Sequence, residues 1–225
     1  RHSAHFIGEI GYHGCPDPAS VRQFISPENL WPPLENDEWQ VHSVYHWQQR
    51  SIERDRIQLM LNQVRLFFGQ VPDDLETFAL ASQIVQAEAK KFFIESTRLR
   101  KWATSGILWW NIIDGWPQFS DAVVDYYFRK KLAFEYIRRS QVPVCLVIGE
   151  PGTGDLLPVV ACNDTLQDAS LHWQVWLADE SGAEGAKGLL DSGEFLLPAN
   201  QNWQVGRIPA RVTQQRLLLL DWEIN

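Results

Sequence analysis

Hydrophobic and polar positions divide the chain near residue 142 into a first part with mixed helix and strand patterns and a second part with strand patterns alone. Residues 4–11 form a short, largely apolar run that carries one carboxylate, Glu9, between two glycines. The apolar residues before Glu9 favour a strand, whereas the glycine and prolines after it stop one. We therefore predict a strand with Glu9 at its C-terminal end.

The first part is also predicted to be rich in helix. Residues 73–101 show the clearest pattern, since apolar residues recur every three or four positions behind two aspartates. Residues 26–39 hold three prolines and two tryptophans and are predicted to form a long ordered loop that could wall a pocket. Caps and spacing predict further helices over residues 17–25, 37–47, 52–68 and 130–141.

A second strand is predicted over residues 106–113, a continuous apolar run typical of a strand covered on both faces in a parallel sheet. Residues 114–117 break this strand, so Trp110, Asn111 and Asp114 should lie near its C-terminal end. Two such strands separated by a long helical segment indicate an expanded βα unit of an α/β fold.

From residue 143 onward, short strand-like runs alternate with glycine, aspartate, serine and asparagine. This spacing predicts an all-β, antiparallel sandwich of immunoglobulin type, so the two domains are predicted as residues 1–142 and 143–225. Because the chain stops just after a strand pattern, we expect the sandwich to lack its last strand or two. The predicted strands are residues 145–148, 157–162, 171–177, 194–197, 204–208 and 217–222.

Composition narrows the function classes. The chain has 225 residues, 45% of them hydrophobic, which is enough to bury a core. A net charge of -8 without any basic run argues against a nucleic-acid or anionic-membrane partner, and no apolar run approaches the length of a membrane span. Three cysteines without metal or redox spacing predict free thiols. The 11 tryptophans are a high number, and indole faces stack on sugars as well as building cores.

Two sequence motifs resemble ligand-binding sites but lack residues that such sites require. Residues 149–154 imitate the start of a phosphate-binding loop, but Asp155 and Leu156 stand where a lysine and a hydroxyl are required, so we predict a turn between strands. His42 and His46 lie four residues apart, yet no third ligand stands at metal spacing. No metal site is predicted.

Glu9 is the main candidate for chemistry, because catalytic groups of a (β/α)8 barrel stand at the C-terminal ends of its strands. A strand-end glutamate that merely faces solvent is the alternative. Tyr12 and His13 lie just past Glu9 in the sequence and either orient its carboxylate or pack under the loop.

Three blocks of the sequence resemble the C-terminal part of glycoside hydrolase family 2, especially its β-mannosidase-like members. Residues 6–11 are similar to the seventh barrel strand of that family, residues 82–98 to the helix before the eighth strand, and residues 105–117 to the eighth strand and its loop. The departures are Gly8 where serine is usual, Ile10 in place of an aromatic residue, and residues 111–113. These differences leave the identity of the substrate sugar open.

The resemblance implies the last two strands of a (β/α)8 TIM barrel, with their helices, followed by the sandwich. It also implies retaining hydrolysis of a β-glycoside with Glu9 as nucleophile. The partner acid/base would come from an Asn-Glu pair on the fourth strand, which this sequence does not contain. Asp114 is a local substitute by position, although the resemblance assigns it to fixing the loop or to the pocket wall.

Substrate-binding roles are implied for several neighbours of Glu9. Trp110 would form an apolar floor beneath the sugar, the alternative being a core tryptophan of the barrel; Asn111 and Trp116 are further pocket candidates. The chemistry requires no metal or organic cofactor.

Two strands cannot close an eight-stranded barrel. We therefore expect the chain alone to be inactive and to rest against the remainder of a longer chain or a companion fragment. β-Galactosidase or β-glucuronidase specificity is the alternative within the family. A non-catalytic carbohydrate-binding or scaffold protein is the alternative outside the enzyme class.

Overall fold

The computed structural model describes residues 4–35, 37–43, 56–151, 154–178, 188–213 and 217–224. The chain divides into two compact units. Residues Arg1–Ile94 and Gly106–Arg139 form the first, and Glu95–Ser105 with Ser140–Asn225 form the second. The domain boundary near residue 142 stays a prediction; the compact units differ from it in that Glu95–Ser105 belongs to the second unit.

The first unit contains a parallel pair of strands, β1 (Ile7–Gly11) and β2 (Ile107–Trp110). Its ladder opens with a hydrogen bond of 3.0 Å from the Ile7 amide to the Gly106 carbonyl, and Gly11 lies opposite Trp110 at the other end. Between Ile7 and Ile10 the register slips by one residue, because three steps along β1 match two steps along β2. Such an irregularity redirects the side chains that it contains.

The prediction that the second strand is covered on both faces is wrong. Strand β2 ends at Trp110 rather than at residue 113, and the side chains of Leu108 and Trp110 are 58% and 52% exposed. Trp109 packs against a buried hydrophobic cluster, and alternation along the strand turns Leu108 and Trp110 to the opposite face. Within the described residues, β1 is the sole hydrogen-bonded neighbour of β2 in this sheet.

Five helices are described, and each lies within a segment predicted to be helical. Asp17 caps α1 by accepting a hydrogen bond of 2.8 Å from the Ala19 amide, and Asp74 caps α4 by accepting from the Thr77 amide at 2.8 Å. The helices are α1 (Pro18–Val21), α2 (Asp37–Val41), α3 (Arg56–Phe68), α4 (Leu75–Leu99) and α5 (Leu132–Ser140). None of the described helices has the length and hydrophobicity to cross a membrane.

The segment predicted as a long loop, residues 26–39, is partly helical. It contains two 3₁₀ turns, Pro27–Asn29 and Pro33–Glu35, and the first residues of α2. Glu38 organises the first turn by accepting hydrogen bonds of 2.7 Å from both the amide and the hydroxyl of Ser26. Part of the predicted helix over residues 37–47, and His46 with it, lies outside the described residues.

Buried hydrophobic side chains among the described residues of the first unit form two clusters. In the larger, Trp39 is fully buried and stacks on Phe119 with ring centroids 4.1 Å apart. In the smaller, Trp109 of β2 packs against buried residues of α4, α5 and the segment between β2 and α5, which include Ala87, Val123 and Ile137. This second cluster fixes one face of β2.

In the part of the second unit that the structure describes, the strands form two three-stranded antiparallel sheets in the orders β3-β4-β7 and β6-β5-β8. One hydrophobic core joins residues of both sheets, among them Leu146, Val159 and Trp173. Each strand includes one of the six predicted runs, but β6 begins six residues earlier than residue 194. The strands are β3 (Val144–Ile148), β4 (Leu156–Asn163), β5 (Ala169–Ala178), β6 (Gly188–Leu197), β7 (Asn202–Pro209) and β8 (Leu217–Ile224).

The three cysteines are free and buried, and Cys145 lies directly opposite Cys162 in the β3–β4 pair. The same antiparallel pair brackets the glycine-rich segment that imitates a phosphate loop. Phosphate-binding loops lead from a strand into a helix. This segment instead connects two strands, as predicted.

Candidate active site

Glu9 lies in the irregular part of β1, two residues before the strand ends at Gly11. The prediction of a strand-end position is therefore displaced by two residues. The Glu9 side chain is exposed, and no hydrogen bond or ion pair joins its carboxylate to another described residue. The group is accessible, as a nucleophile must be.

The parallel pair brings Glu9 and Trp110 to one face of the sheet. Gly11 lies opposite Trp110, and because of the irregularity Gly8 and Glu9 together lie opposite the single residue Leu108. Burial agrees, since Glu9, Leu108 and Trp110 are exposed while Ile10 and Trp109 are partly covered. We call this surface the exposed sheet face, defined by Glu9, Gly11, Leu108 and Trp110.

His13 does not hydrogen-bond to Glu9. Its ring is 3% exposed, and Nδ1 donates to Oδ1 of Asp121 at 2.9 Å, while no described residue hydrogen-bonds to its buried Nε2. Burial alone would raise the pKa of the Asp121 carboxyl, but the hydrogen bond and charge of His13, together with the Lys90 charge, hold it below its usual range. A side chain at Gly11 would lie 2.8 Å from Cγ of Asp121, so glycine allows this carboxylate to approach the end of β1.

Tyr12 also packs rather than contacting Glu9. Its ring meets Phe93 edge-on with centroids 6.2 Å apart, and burial raises the pKa of its hydroxyl. The geometry of Tyr12 and His13 is that of residues fixing the loop after β1. Their contact with a substrate stays a prediction.

Asp114 is 4% exposed and is tied into its own loop. Its Oδ1 accepts hydrogen bonds from the Gln118 amide at 2.8 Å and from the Ser120 hydroxyl at 2.6 Å. Burial raises the pKa of this carboxyl above its usual range, although the Lys131 charge and both hydrogen bonds act in the opposite direction. These contacts favour loop fixation over acid/base chemistry.

The other two pocket candidates lie on the same loop. Asn111 directs Nδ2 to the Ile113 carbonyl at 3.2 Å, and no described residue hydrogen-bonds to its buried Oδ1. Trp116 is 42% exposed and stacks on His42 with ring centroids 5.4 Å apart. The structure therefore places both candidates in the loop after β2 and leaves their substrate contacts as predictions.

The raised pKa of Asp114 predicts a pH effect on stability. A carboxyl whose folded pKa exceeds its unfolded value favours folding below the unfolded pKa, and that contribution is lost as pH rises through the folded pKa. We therefore expect the free energy of unfolding of the wild type, relative to Asp114→Asn, to be larger near pH 4 than at pH 7. Urea titrations at both pH values measure this difference.

Asp74→Asn is the matched control, because the Thr77 amide and hydroxyl lower the pKa of this helix-capping carboxylate. Its contribution is present above the unfolded pKa and is lost as pH falls, so the pH dependence should have the opposite sign. Equal pH trends in the two variants would contradict the assignment of the Asp114 shift to burial.

A cavity of about 580 Å³ lies beside Asp114 and not beside Glu9. Besides Asp114, its lining includes Tyr126, Phe128 and Arg129. None of the residues that define the exposed sheet face lines this cavity. Among the described residues, no cluster of three histidine, cysteine, aspartate or glutamate side chains could hold a metal ion.

Sequence reasoning assigned no role to three buried polar side chains beneath the exposed sheet face. Gln86 is fully buried, and its Nε2 donates to the carbonyls of Tyr12, Asp121 and Ala122 at 3.0, 3.1 and 3.3 Å. Lys131 donates to the carbonyl of Gly14 at 2.6 Å, and Lys90 to that of Trp110.

One signal could have identified this group. Gln86 stands within the apolar stripe of α4, with Lys90 four residues further along, and polar residues in an apolar stripe indicate buried hydrogen bonding.

Comparisons with known proteins identify relatives that are named β-mannosidase B. No protein-family model matches the chain. Beta-mannosidase B of Aspergillus flavus is 31% identical over 147 residues, which are 63% of this chain and 16% of that protein. Beta-mannosidase B of Aspergillus clavatus is 39% identical over 77 residues, 32% of this chain and 9% of that protein. The matched region thus spans less than a fifth of the length of these relatives.

Solved structures match nearly the whole chain. The β-D-mannosidase from Dictyoglomus thermophilum matches 97% of this chain and 25% of its own with a TM-score of 0.77 at 24% identity. The exo-chitosanase CsxA from Amycolatopsis orientalis matches 94% of this chain and 26% of its own with a TM-score of 0.65 at 15% identity. At these identities the likeness shows a shared fold.

Proposed function

We propose that this chain, which resembles the C-terminal portion of a β-mannosidase-like protein of glycoside hydrolase family 2, forms part of a retaining β-glycosidase of β-mannosidase type. One observation carries the proposal. The exposed sheet face combines an accessible carboxylate, Glu9, with a half-exposed indole, Trp110, at one end of a parallel strand pair. Relatives named β-mannosidase support the substrate class.

In the proposed mechanism, Glu9 attacks the anomeric carbon while a second carboxylic acid protonates the departing oxygen, which gives a covalent glycosyl-enzyme and a free alcohol. That second group then removes a proton from water, which displaces Glu9 and releases the sugar. In retaining enzymes the two carboxyl groups stand about 5–5.5 Å apart. The acid/base is assigned to a segment outside this chain.

Trp110 provides the apolar surface against which the sugar rests. Indole rings pack well on the C–H faces of pyranoses, and a fixed platform holds the anomeric carbon in line with the nucleophile. The exposure of Trp110 leaves its ring available for this contact.

The fold proposal follows the same resemblance. Strands β1 and β2 are assigned to the last two strands of a (β/α)8 barrel in domain 1–142, and the two sheets of the second unit to an immunoglobulin-like sandwich in domain 143–225. The exposed side chain of Leu108 on β2 supports this assignment, because the interior of a closed barrel would cover it. The remaining strands would come from a longer chain or a companion fragment, so this chain alone is proposed to be inactive.

Two alternatives remain within the enzyme class. One structural neighbour is an exo-chitosanase, and β-galactosidase or β-glucuronidase specificity rests on the wider family resemblance. A carbohydrate-binding protein without turnover is the alternative outside it. An Asn-Glu pair at a strand end of the upstream sequence supports an enzyme, and its absence supports a binding protein.

A substrate screen of the full-length protein tests the proposal. Aryl β-mannoside, β-galactoside, β-glucuronide and β-glucosaminide are compared by kcat/KM, and release of the β-anomer from the β-mannoside is followed by NMR. We expect the β-mannoside to be preferred and the configuration to be retained. Release of the α-anomer would contradict the double-displacement mechanism. A protein that binds one of these glycosides but hydrolyses none of them would favour the non-catalytic alternative.

A further inference from the structure

Lys90 is a lysine whose side chain is fully buried. It lies on α4 with no exposed surface, among residues that pack under β2. Its ammonium group donates a hydrogen bond to the carbonyl of Trp110 and lies 5.4 Å from the ring centroid of Trp109. One side chain thus contacts two consecutive residues at the end of the strand that carries the proposed sugar platform.

The orientation of the Trp110 carbonyl matters because it lies at the junction between β2 and the following loop. Strand β2 ends at Trp110, and the chain then turns into the loop that holds Asn111 and Asp114. A peptide plane at the end of a ladder is less constrained than one inside it. The charged donor from Lys90 fixes this plane, and the Trp110 indole projects from the same residue on the opposite side of the strand from Trp109.

Burying an ammonium group is costly, and a side chain with only a packing role would be better replaced by an apolar residue of similar volume. The nearby charges compensate only in part. The Asp121 carboxylate favours the charged form of Lys90, whereas the Lys131 ammonium opposes it. Burial, the largest effect, lowers the pKa of Lys90 to about 8.

We propose that Lys90, in its protonated form, is a positioning residue that holds the Trp110 platform in the orientation needed to seat the sugar against Glu9. This inference rests on the function proposed above and names a device that regulates the same site. Its consequence is pH dependence. As Lys90 loses its proton through about pH 8, its hydrogen bond to Trp110 weakens and the platform loosens.

Other titratable groups surround Lys90. Asp121, held by His13, and Lys131 contribute to its electrostatic environment, so the test must separate Lys90 from them. Lys90→Met removes the charge while keeping the length of the stem. Lys91→Met is the matched control, since Lys91 is the next residue of α4 but is partly exposed. Its Nζ atom lies 3.9 Å from Oε2 of Glu88.

The first experiment measures kinetics of the full-length protein against aryl β-glycoside from pH 6 to 10. We expect kcat/KM of the wild type and of Lys91→Met to fall above about pH 8. In Lys90→Met, kcat/KM per folded enzyme should be lower at pH 7 by roughly 10-fold or more, a size typical of a lost charged hydrogen bond, and the decline near pH 8 should be absent. A purely structural role would lower the folded fraction and leave KM and the pH profile unchanged.

The second experiment does not depend on activity. The full-length protein is labelled with 5-fluorotryptophan, and the ¹⁹F resonance of Trp110 is identified by its loss in Trp110→Phe. We expect this resonance to shift with a midpoint near pH 8 in the wild type and in Lys91→Met, and to stay fixed in Lys90→Met.

A Trp110 resonance that does not move in the wild type between pH 6.5 and 9.5 would overturn the inference, whether or not Lys90→Met folds. If the Trp110 resonance shifts near pH 8 as expected but the full-length protein hydrolyses no glycoside, the proposed function is overturned. The inferred contact between Lys90 and Trp110 then still stands. The two failures are therefore distinguishable.

Discussion

Replacing Glu9 with glutamine in the full-length protein should lower kcat for aryl β-glycoside hydrolysis by more than about 10⁴-fold, with little change in KM. The amide keeps the shape of the side chain but cannot form the covalent glycosyl-enzyme. Because Glu9 is exposed and hydrogen-bonds to no other described residue, the substitution should leave the melting temperature within a few degrees of the wild type.

Glu194→Gln is the matched control for this experiment. Glu194 is also a strand glutamate, on β6, with a side chain that is 86% exposed. We expect its activity to equal that of the wild type. Activity of Glu9→Gln within 10-fold of the wild type would remove Glu9 from the mechanism, and activity of the purified 225-residue chain alone would contradict the proposal that it lacks its acid/base.

Replacing Trp110 with alanine should lower kcat/KM by roughly 100-fold, a size typical of lost substrate positioning. The indole is 52% exposed and belongs to the face opposite the packed cluster, so we expect little loss of stability. Steady-state kinetics of the full-length protein, together with thermal unfolding, measure both effects.

Trp203→Ala is the control for Trp110→Ala, because Trp203 is a strand tryptophan of the second unit that is 50% exposed. It stacks on Phe195 with ring centroids 5.7 Å apart, so its replacement tests the loss of a similar indole far along the chain from Glu9. Equal losses of activity in both variants would show that Trp110 acts through stability and not as a platform.

Local sequence patterns were sufficient to predict the long elements. Helix α4 was predicted over residues 73–101 and spans Leu75–Leu99, because its apolar stripe and its Asp74 cap are both local signals. The strand patterns of the second part also identify six real strands. Strand β6 was predicted to begin at residue 194 and begins at Gly188, since Asp191, Ser192 and Gly193 have the composition of a turn but lie within the ladder.

Burial could not be predicted as well as secondary structure. The apolar run of residues 106–113 was interpreted as a strand covered on both faces, whereas Leu108 and Trp110 are exposed. An apolar run indicates that a strand prefers to be covered, but it does not identify the covering element. That element is absent from the described residues.

Some residues of the candidate site could be predicted from local sequence, and others could not. Glu9 and Trp110 were predicted from runs of a few residues, and the structure places them on one face. The hydrogen bond between His13 and Asp121 joins residues 108 positions apart, and no local pattern encodes such a pairing. The roles of Gln86 and Lys90 likewise depend on carbonyls supplied by distant segments.

Trapping the glycosyl-enzyme tests the central claim most directly. The full-length protein is incubated with a 2-deoxy-2-fluoro-β-mannosyl fluoride, which slows hydrolysis of the covalent intermediate, and then digested for mass spectrometry. We predict that the added fluorosugar mass is found on the peptide containing Glu9, and that fragmentation assigns it to that carboxylate. Labelling of a different carboxylate in an active enzyme would contradict the account.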